Sequence, residues 1–401
     1  MLVVASACVL CLAAIQAMPA RGVSADASAV PTAAAAAPTA APSPTPAPTP
    51  TVQTVTFSAS GDNLIHAPIY KQAAANATGG AKYDFTSCYA HVADFYAGWD
   101  VNWINQESLI DDERAPSTYP RFCTPGEAAK ALYSIGFRVF SLSNNHIYDY
   151  SADGIAETLR FWSSMPADVV TTGLWRGTAD YDRIPLQTVN GVTFAYLSYT
   201  EFTNGIPTPA NAEANIIYTS ETDVIQHQIT LARQQADVVV VGVHWGVEDS
   251  HTTTDAQRQL AQNLADWGAD VVIGTHPHVV QDAEWRTAAD GRSVLVAYSL
   301  GNFISRQKKA DNLIGAVLTF TVQKTTQPDG TSSIAILSPA LHPTVTHYYA
   351  GSRDISVYLF RDYTQELAAA HGVRGYDSRF TYEYIQKVIQ ENISESFLSL
   401  S

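Results

Sequence analysis

The chain has 401 residues, and its 38 acidic side chains against 23 basic ones give a formal net charge of −15. That balance argues against nucleic acid and anionic membrane surfaces as principal partners, and it suits cations. Charged residues are sparse at 15%, but a hydrophobic content of 46% with 20 Tyr and 7 Trp excludes a disordered chain and supplies a large core.

Residues 2–18 (LVVASACVLCLAAIQAM) form an uncharged apolar run that exits through Val23-Ser24-Ala25. Residues 1–25 therefore read as a secretory leader with a small-residue cleavage site. An uncleaved N-terminal anchor is the alternative, because the run lies at the short edge of a bilayer span. Residues 26–51 hold seven prolines and no aromatic residue, the composition of a semi-rigid spacer with polyproline II character. The expected location is secreted or extracytoplasmic, either free or held by the apolar segment. Once the leader is gone only Cys88 and Cys123 remain, as one disulfide or as two unpaired buried thiols.

From Val52 onward, short β-branched runs alternate with segments of helical periodicity. Strands are expected at Val52–Ser60, Val101–Asn105, Val139–Leu142, Thr193–Ser198, Val238–Val243, Val271–Gly274 and Val294–Ser299. Helices are expected at Pro125–Ile135, Ala152–Ser163, Asp223–Gln235 and Asp255–Trp267. The alternation gives an α/β layered fold, and the near-continuous apolar strands require a sheet covered on both faces. Beyond Gly301 the pattern turns to strands, Leu313–Lys324 and Ser333–Leu337, followed by a last amphipathic helix near 378–396. The folded domain is accordingly set at 52–340, with 341–401 as a C-terminal extension packed on it.

A polar cluster follows the carboxyl end of nearly every predicted strand, where open α/β sheets place ligands. These clusters are Gly61-Asp62-Asn63, Asn105-Gln106-Glu107, Ser143-Asn144-Asn145-His146 with Asp149 close behind, His244-Trp245-Gly246-Val247-Glu248, Gly274-Thr275-His276-Pro277-His278 and Ser299-Leu300-Gly301-Asn302. Singly each is weak, since a strand-end Asp is usually a helix cap. The H-x-H pair carries more weight, because an extended segment projects both imidazoles to one side. Together, one Asp, one Glu, one Asn and four His make an oxygen/nitrogen ligand set suited to Zn, Mn or Fe. Two such ions about 3.5–4 Å apart need a bridging carboxylate and activate water for hydrolysis.

In this order the clusters resemble the CapA family of capsule or poly-γ-glutamate synthesis proteins (PGA_cap), a branch of the calcineurin-like metallophosphatase fold. The matching strings also include Ser60-Gly61-Asp62-Asn63-Leu64, Thr203-Asn204-Gly205-Ile206-Pro207 and Tyr298-Ser299-Leu300-Gly301-Asn302-Phe303, and the resemblance covers about Val55 to Leu318. It implies a four-layer αββα sandwich with a dinuclear metal cleft at the strand ends. By position, Asp62 and His278 fall to the first metal, Glu107 to the bridge, Asn145 and His244 to the second metal with His276 beside them, and His146 to the general acid. Asn63, Asn144, Asn204 and Asn302 are expected to line the cleft. The usual Asp-x-His opening is missing, since Leu64 follows Asp62 by two, so His66 or Glu248 is the candidate for the missing ligand. The resemblance implies as partners an anionic envelope polymer, or a small phosphoester or amide, together with other membrane proteins of capsule synthesis. Arg286, Arg292, Arg306, Lys308 and Lys309 form either a patch for such a polymer or a solvated basic face. Tyrosines 348 and 376, among others, read as a polymer platform or as packing. A non-catalytic polymer-binding scaffold is the alternative to a hydrolase.

Overall fold

The computed structural model describes residues 49–400, so the leader and most of the Ala/Pro/Thr spacer lie outside the described residues. Fourteen strands are numbered in chain order: β1 (Thr51–Asn63), β2 (Val101–Asn105), β3 (Val139–Ser141), β4 (Val170–Thr172), β5 (Leu186–Val189), β6 (Val192–Thr200), β7 (Val238–His244), β8 (Val271–Thr275), β9 (Val280–Thr287), β10 (Ser293–Leu300), β11 (Asn302–Ile304), β12 (Ile314–Thr326), β13 (Ser332–Tyr349) and β14 (Arg353–Leu359). One sheet runs β14-β13-β12-β1-β2-β3-β4, with β11 paired to β1, and the other runs β5-β6-β7-β8-β10-β9.

The valine-rich β7 shows why the sheets stack. Val238 and Val240 belong to the large core that also holds Phe57, Trp103 and Val139 of the first sheet. Val239, Val241 and Val243 point the other way, into a core built with Ile225, Ile229, Leu264 and Ala265 from helices Thr222–Gln235 and Asp255–Trp267. Every residue of this strand is buried because both of its faces are covered. On the first sheet, the Asn102 amide of β2 donates to the Tyr96 and Gly136 carbonyls, which marks its helix-covered face. Helices Ala67–Asn76, Glu127–Ser134 and Ser151–Ser164 contribute Ile69, Leu132 and Trp162 to the same large core. The result is the expected four-layer α/β sandwich. Strands β1 to β4 are mutually parallel, as are β6, β7, β8 and β10, so their carboxyl ends gather on one side of each sheet.

One expectation changes, and one open alternative is decided. The boundary at 340 falls inside β13, which pairs with β12 from Ser332 to Val345 and then carries β14 on its other edge. Residues 341–359 are therefore sheet rather than an appended extension. Alternation there is blurred by His342, Pro343 and Thr344, which hides the strand in the sequence. Cys88 and Cys123 are both free thiols. Cys88 lies in the main core near the Gln72 amide, whereas Cys123 belongs to a separate cluster with Leu109 and Tyr148 and points its thiol at the Asp111 carbonyl.

Candidate metal centre

The cleft is assembled where β1, β2, β7 and β8 end. At the end of β1, Gly61 permits a close approach that a side chain would block, because a Cβ there would fall 1.8 Å from the Gly301 carbonyl oxygen. The Asp62 amide donates to that same carbonyl at 3.0 Å. Asp62 is fully buried, receives the Asn105 side-chain amide on Oδ1 at 2.7 Å and the His276 main-chain N–H on Oδ2 at 3.2 Å.

Glu107 lies two residues beyond β2 and is fully buried, yet neither carboxylate oxygen has a hydrogen-bond partner among the described residues. Its Oε1 is 3.7 Å from His244 Nε2 and its Oε2 is 3.7 Å from His278 Nδ1. Burial, together with the charge of Asp62, raises its pKa well above the ordinary glutamate value. A buried carboxylate with both oxygens unpaired is costly unless a cation faces it.

The histidines divide in two. His244 ends β7, with Nδ1 3.0 Å from Thr275 Oγ1 and Nε2 3.1 Å from Asn145 Oδ1 and 3.2 Å from His276 Nδ1. Burial, reinforced by the neighbouring imidazoles, holds the His244 pKa well below its usual value and lowers that of His276 to about 3. Both rings are thus neutral near pH 7, with lone pairs available to a metal. His278 behaves oppositely: burial opposes its charge, but the hydrogen bond and charge of Asp62 outweigh it and raise its pKa. Its Nδ1 is 3.0 Å from Asn302 Oδ1 and 3.3 Å from Asp62 Oδ2.

His276 and His278 do not sit on an extended segment. Both have left-handed backbones, with φ of 96° and 60°, in a bend after β8. The rings converge because the chain turns, with centroids 5.8 Å apart, and not because of two-residue periodicity. Such strain is retained where surrounding structure enforces it, and it concentrates at functional sites.

Two groups result, Asp62 with Glu107 and His278, and Glu107 with His244 and His276, the candidate ligand atoms in each lying within 4.8 Å of one another. Glu107 belongs to both. The donor chemistry and the unpaired oxygens are compatible with a metal site.

Other expected residues are placed less uniformly. His66 lies outside both groups, with Nδ1 3.2 Å from the Leu64 carbonyl and from the Arg306 amide, and burial with nearby His278, His146 and Arg306 lowers its pKa to about 3. Glu248 is exposed and also outside both groups. Leu64 is buried, its amide donating to the Ile304 carbonyl, so the position expected to hold a histidine is apolar. Asn145 stands beside His244, and its amide donates to Asn204 Oδ1 at 3.2 Å. The side chains of Asn204 and Asn302 meet site side chains, whereas those of Asn63 and Asn144 bond to other partners. Asn63 donates to Gln106 and accepts from Tyr89, while Asn144 braces its own loop, donating to the Gln106 and Leu142 carbonyls and accepting from the His146 amide.

His146 Nδ1 is 2.8 Å from Asp149 Oδ2, which leaves Nε2 as the nitrogen able to carry a proton outward. Asp149 also accepts the Phe122 amide at 2.6 Å. Asp149 and the Asp62 partner Asn105 were visible in the sequence only as members of their clusters. The spacing of three between His146 and Asp149 was the one signal for the first, and the second had none.

Two helix-covered sheets thus meet at buried carboxylates and imidazoles in a four-layer α/β sandwich. The chain matches the bacterial capsule synthesis protein PGA_cap family over residues 56–307 and belongs to it. It is 31% identical over 232 residues to the PGA biosynthesis protein CapA of Bacillus subtilis (strain 168), covering 58% of each chain. It is 34% identical over 186 residues to the capsule biosynthesis protein CapA of Bacillus anthracis, covering 45% of this chain and 43% of that one. The matched segments thus span about half the length of these relatives. Among solved structures, Haemophilus influenzae NAD nucleotidase (NadN) is similar with a TM-score of 0.44 at 12% identity, over 87% of this chain and 57% of that one. The calcineurin-like phosphoesterase YfkN from Bacillus subtilis gives 0.40 at 13% identity, over 85% and 100%. Neither likeness bears on substrate.

Proposed function

We propose that this chain is an exported protein of envelope-polymer synthesis, of the poly-γ-glutamate type, which acts through a divalent-metal cleft on an anionic polymer or on a phosphoester or amide bond within it. One observation carries the reading: Glu107 is fully buried, lacks a hydrogen-bond partner for either oxygen among the described residues, and is shared by both ligand groups. Asp62, Glu107 and His278 would hold one ion, and Glu107, His244 and His276 a second, with Mn, Fe or Zn suited to these donors. A bound cation would supply Lewis acidity to a substrate oxygen. The chain's own residues do the rest. Asp149 fixes the His146 tautomer, so that Nε2 can deliver a proton to a departing oxygen.

The region before residue 49 supports placement outside the cytoplasm through its apolar run and Pro-rich spacer. Among the described residues no helix is long and apolar enough to cross a membrane.

Elemental analysis of protein purified without added metal or chelator tests the cleft. About two equivalents of Mn, Fe or Zn are expected, and phosphoester and amide hydrolysis is then compared with a His276→Ala variant. Absence of metal, with none taken up on titration, would sink the proposal. One observation favours a second reading, a metal-dependent polymer binder without turnover: apolar Leu64 leaves the first group with three protein ligands. Stoichiometric metal with no hydrolysis of either bond type would select it.

A further inference from the structure

Among Arg286, Arg292, Arg306, Lys308 and Lys309, three are neutralised: Arg286 by Glu284 at 2.7 Å, Arg292 by Asp290 at 2.7 Å and Asp270 at 3.3 Å, and Lys309 by Asp249. Arg306 and Lys308 have no carboxylate partner among the described residues, and neither have Lys71 and Arg353.

Arg306 is the anchor of this second set. It is only 8% exposed, its guanidinium lies 3.8 Å from the Tyr348 ring centroid, and its Nε donates to Ser352 Oγ at 2.9 Å. It also borders the metal centre. Its main-chain amide is 3.2 Å from His66 Nδ1, and it follows by four residues Asn302, the partner of His278. Tyr376, 58% exposed, lies beneath both Arg306 and Lys308, at 5.2 and 5.0 Å from its ring centroid. Ser352 sits in the turn joining β13 to β14, and that turn walls a groove of about 530 Å³ together with Lys71, Arg353 and one carboxylate, Asp354.

We infer that Lys71, Arg353, Arg306 and Lys308 form a track beside the metal cleft that takes the carboxylates of an acidic polypeptide-like polymer. This assignment rests on the polymer reading above. Lys71 and Arg353 line the groove, and Arg306 and Lys308 continue from its Ser352 wall across Tyr376, so the cations follow one another singly, which suits charges repeated along a chain. Arg306 is held by ring stacking and one hydrogen bond, so its planar fork is preorganised for a carboxylate. Tyr376 offers an apolar face to the methylene stems between charges. A net charge of −15 repels any polyanion at long range, but screening confines that repulsion to about 8 Å at physiological salt, so a local row of cations can dominate on contact.

The test is fluorescence anisotropy of a labelled γ-linked oligoglutamate with the full chain loaded with Mn²⁺. The variants are the exposed triple substitution Lys71→Gln, Lys308→Gln, Arg353→Gln and, separately, Arg306→Gln, with metal content and melting temperature measured alongside. The triple variant should lose about ten- to hundredfold in affinity at low salt, with metal content and melting temperature unchanged. Wild-type binding should weaken as salt rises. Wild-type binding matched by the triple variant would overturn the track and leave the polymer reading standing. No binding by the wild type would overturn the polymer reading itself. Displacement of the probe by polyphosphate at lower charge concentration than by unlabelled oligoglutamate would overturn the carboxylate assignment.

Discussion

Replacing Glu107 with Gln isolates the charge on which the metal reading depends. Glutamine keeps the shape and removes the buried negative charge that both ligand groups share. A metal that binds only the folded state stabilises it by about 2.7 kcal/mol at a hundred times its dissociation constant. The described chain has about 350 residues, and unfolding entropy near 2.1 cal/mol/K per residue gives a slope of about 0.7 kcal/mol per degree. Saturating metal should therefore raise the wild-type melting temperature by about 4 °C, and Glu107→Gln should abolish the rise. In metal-free protein the sign reverses. The folded pKa of Glu107 lies above its unfolded value, so the fold binds more protons than the unfolded chain between the two. Metal-free wild type should lose stability as pH rises from the ordinary glutamate range upward, and the variant should lose less. Differential scanning calorimetry with and without Mn²⁺ reads both effects. A variant that keeps the metal-induced rise would refute the reasoning, because the shared carboxylate would then not face the ion.

Asp149→Asn should lower kcat of any metal-dependent hydrolysis by roughly 10²- to 10⁴-fold, because an amide no longer fixes the imidazole proton on His146 Nδ1. His371 Nε2 lies 2.9 Å from the Thr346 carbonyl and its Nδ1 accepts the Val373 amide at 2.9 Å, an arrangement that requires a neutral ring. Burial, with nearby His347 and Arg306, lowers its pKa to about 3, and burial lowers that of His347 to about 4. Both folded values lie below the unfolded 6.5, so stability is full above that pH and lost as pH falls through the window to about 4 and 3. His371→Asn should flatten the slope measured by urea titration between pH 6.5 and 4. A chain ending at residue 340 would cut β13 at midlength and strip β14 from the sheet, so it should show no cooperative melting transition.

The sequence was most readable where both faces of a strand are buried. A run such as Val238–Val243 admits little else, which puts the following His244 at a strand end. Bends were unreadable. Nothing in Thr275-His276-Pro277-His278 announces two left-handed histidines, yet that backbone is what brings His276 to His244 and His278 to Asp62. The asparagines were equally opaque, because an amide after a strand can face the cleft, as Asn302 does toward His278, or brace its own loop, as Asn144 does. The eighteen-residue β13 is legible only in its first part, Ser333–Leu337, for a different reason. Proline and histidine interrupt its alternation at the point where it passes from a partly exposed pairing into the buried core, so local pattern ended before the strand did.

The electrostatics of the cleft also bear on the order in which an acidic ligand would be engaged. Asp62 and Glu107 are buried side by side, and without a cation they repel both each other and any approaching carboxylate or phosphate. A bound divalent ion reverses that sign at the bottom of the cleft, but its field reaches only about a Debye length through solvent. The proposed row at Arg306 and Lys308 lies on the segment leaving β11, whose Asn302 orients His278, so the rim and the floor of the site are joined through five consecutive residues. On this reading a polyanion is captured first by the rim, which needs no metal, and is drawn to the floor only when the ion is present. Chelation should therefore weaken oligoglutamate binding without abolishing it, whereas the triple variant in chelator should show none. Equal residual binding by both proteins in chelator would mean that rim and floor do not act in sequence.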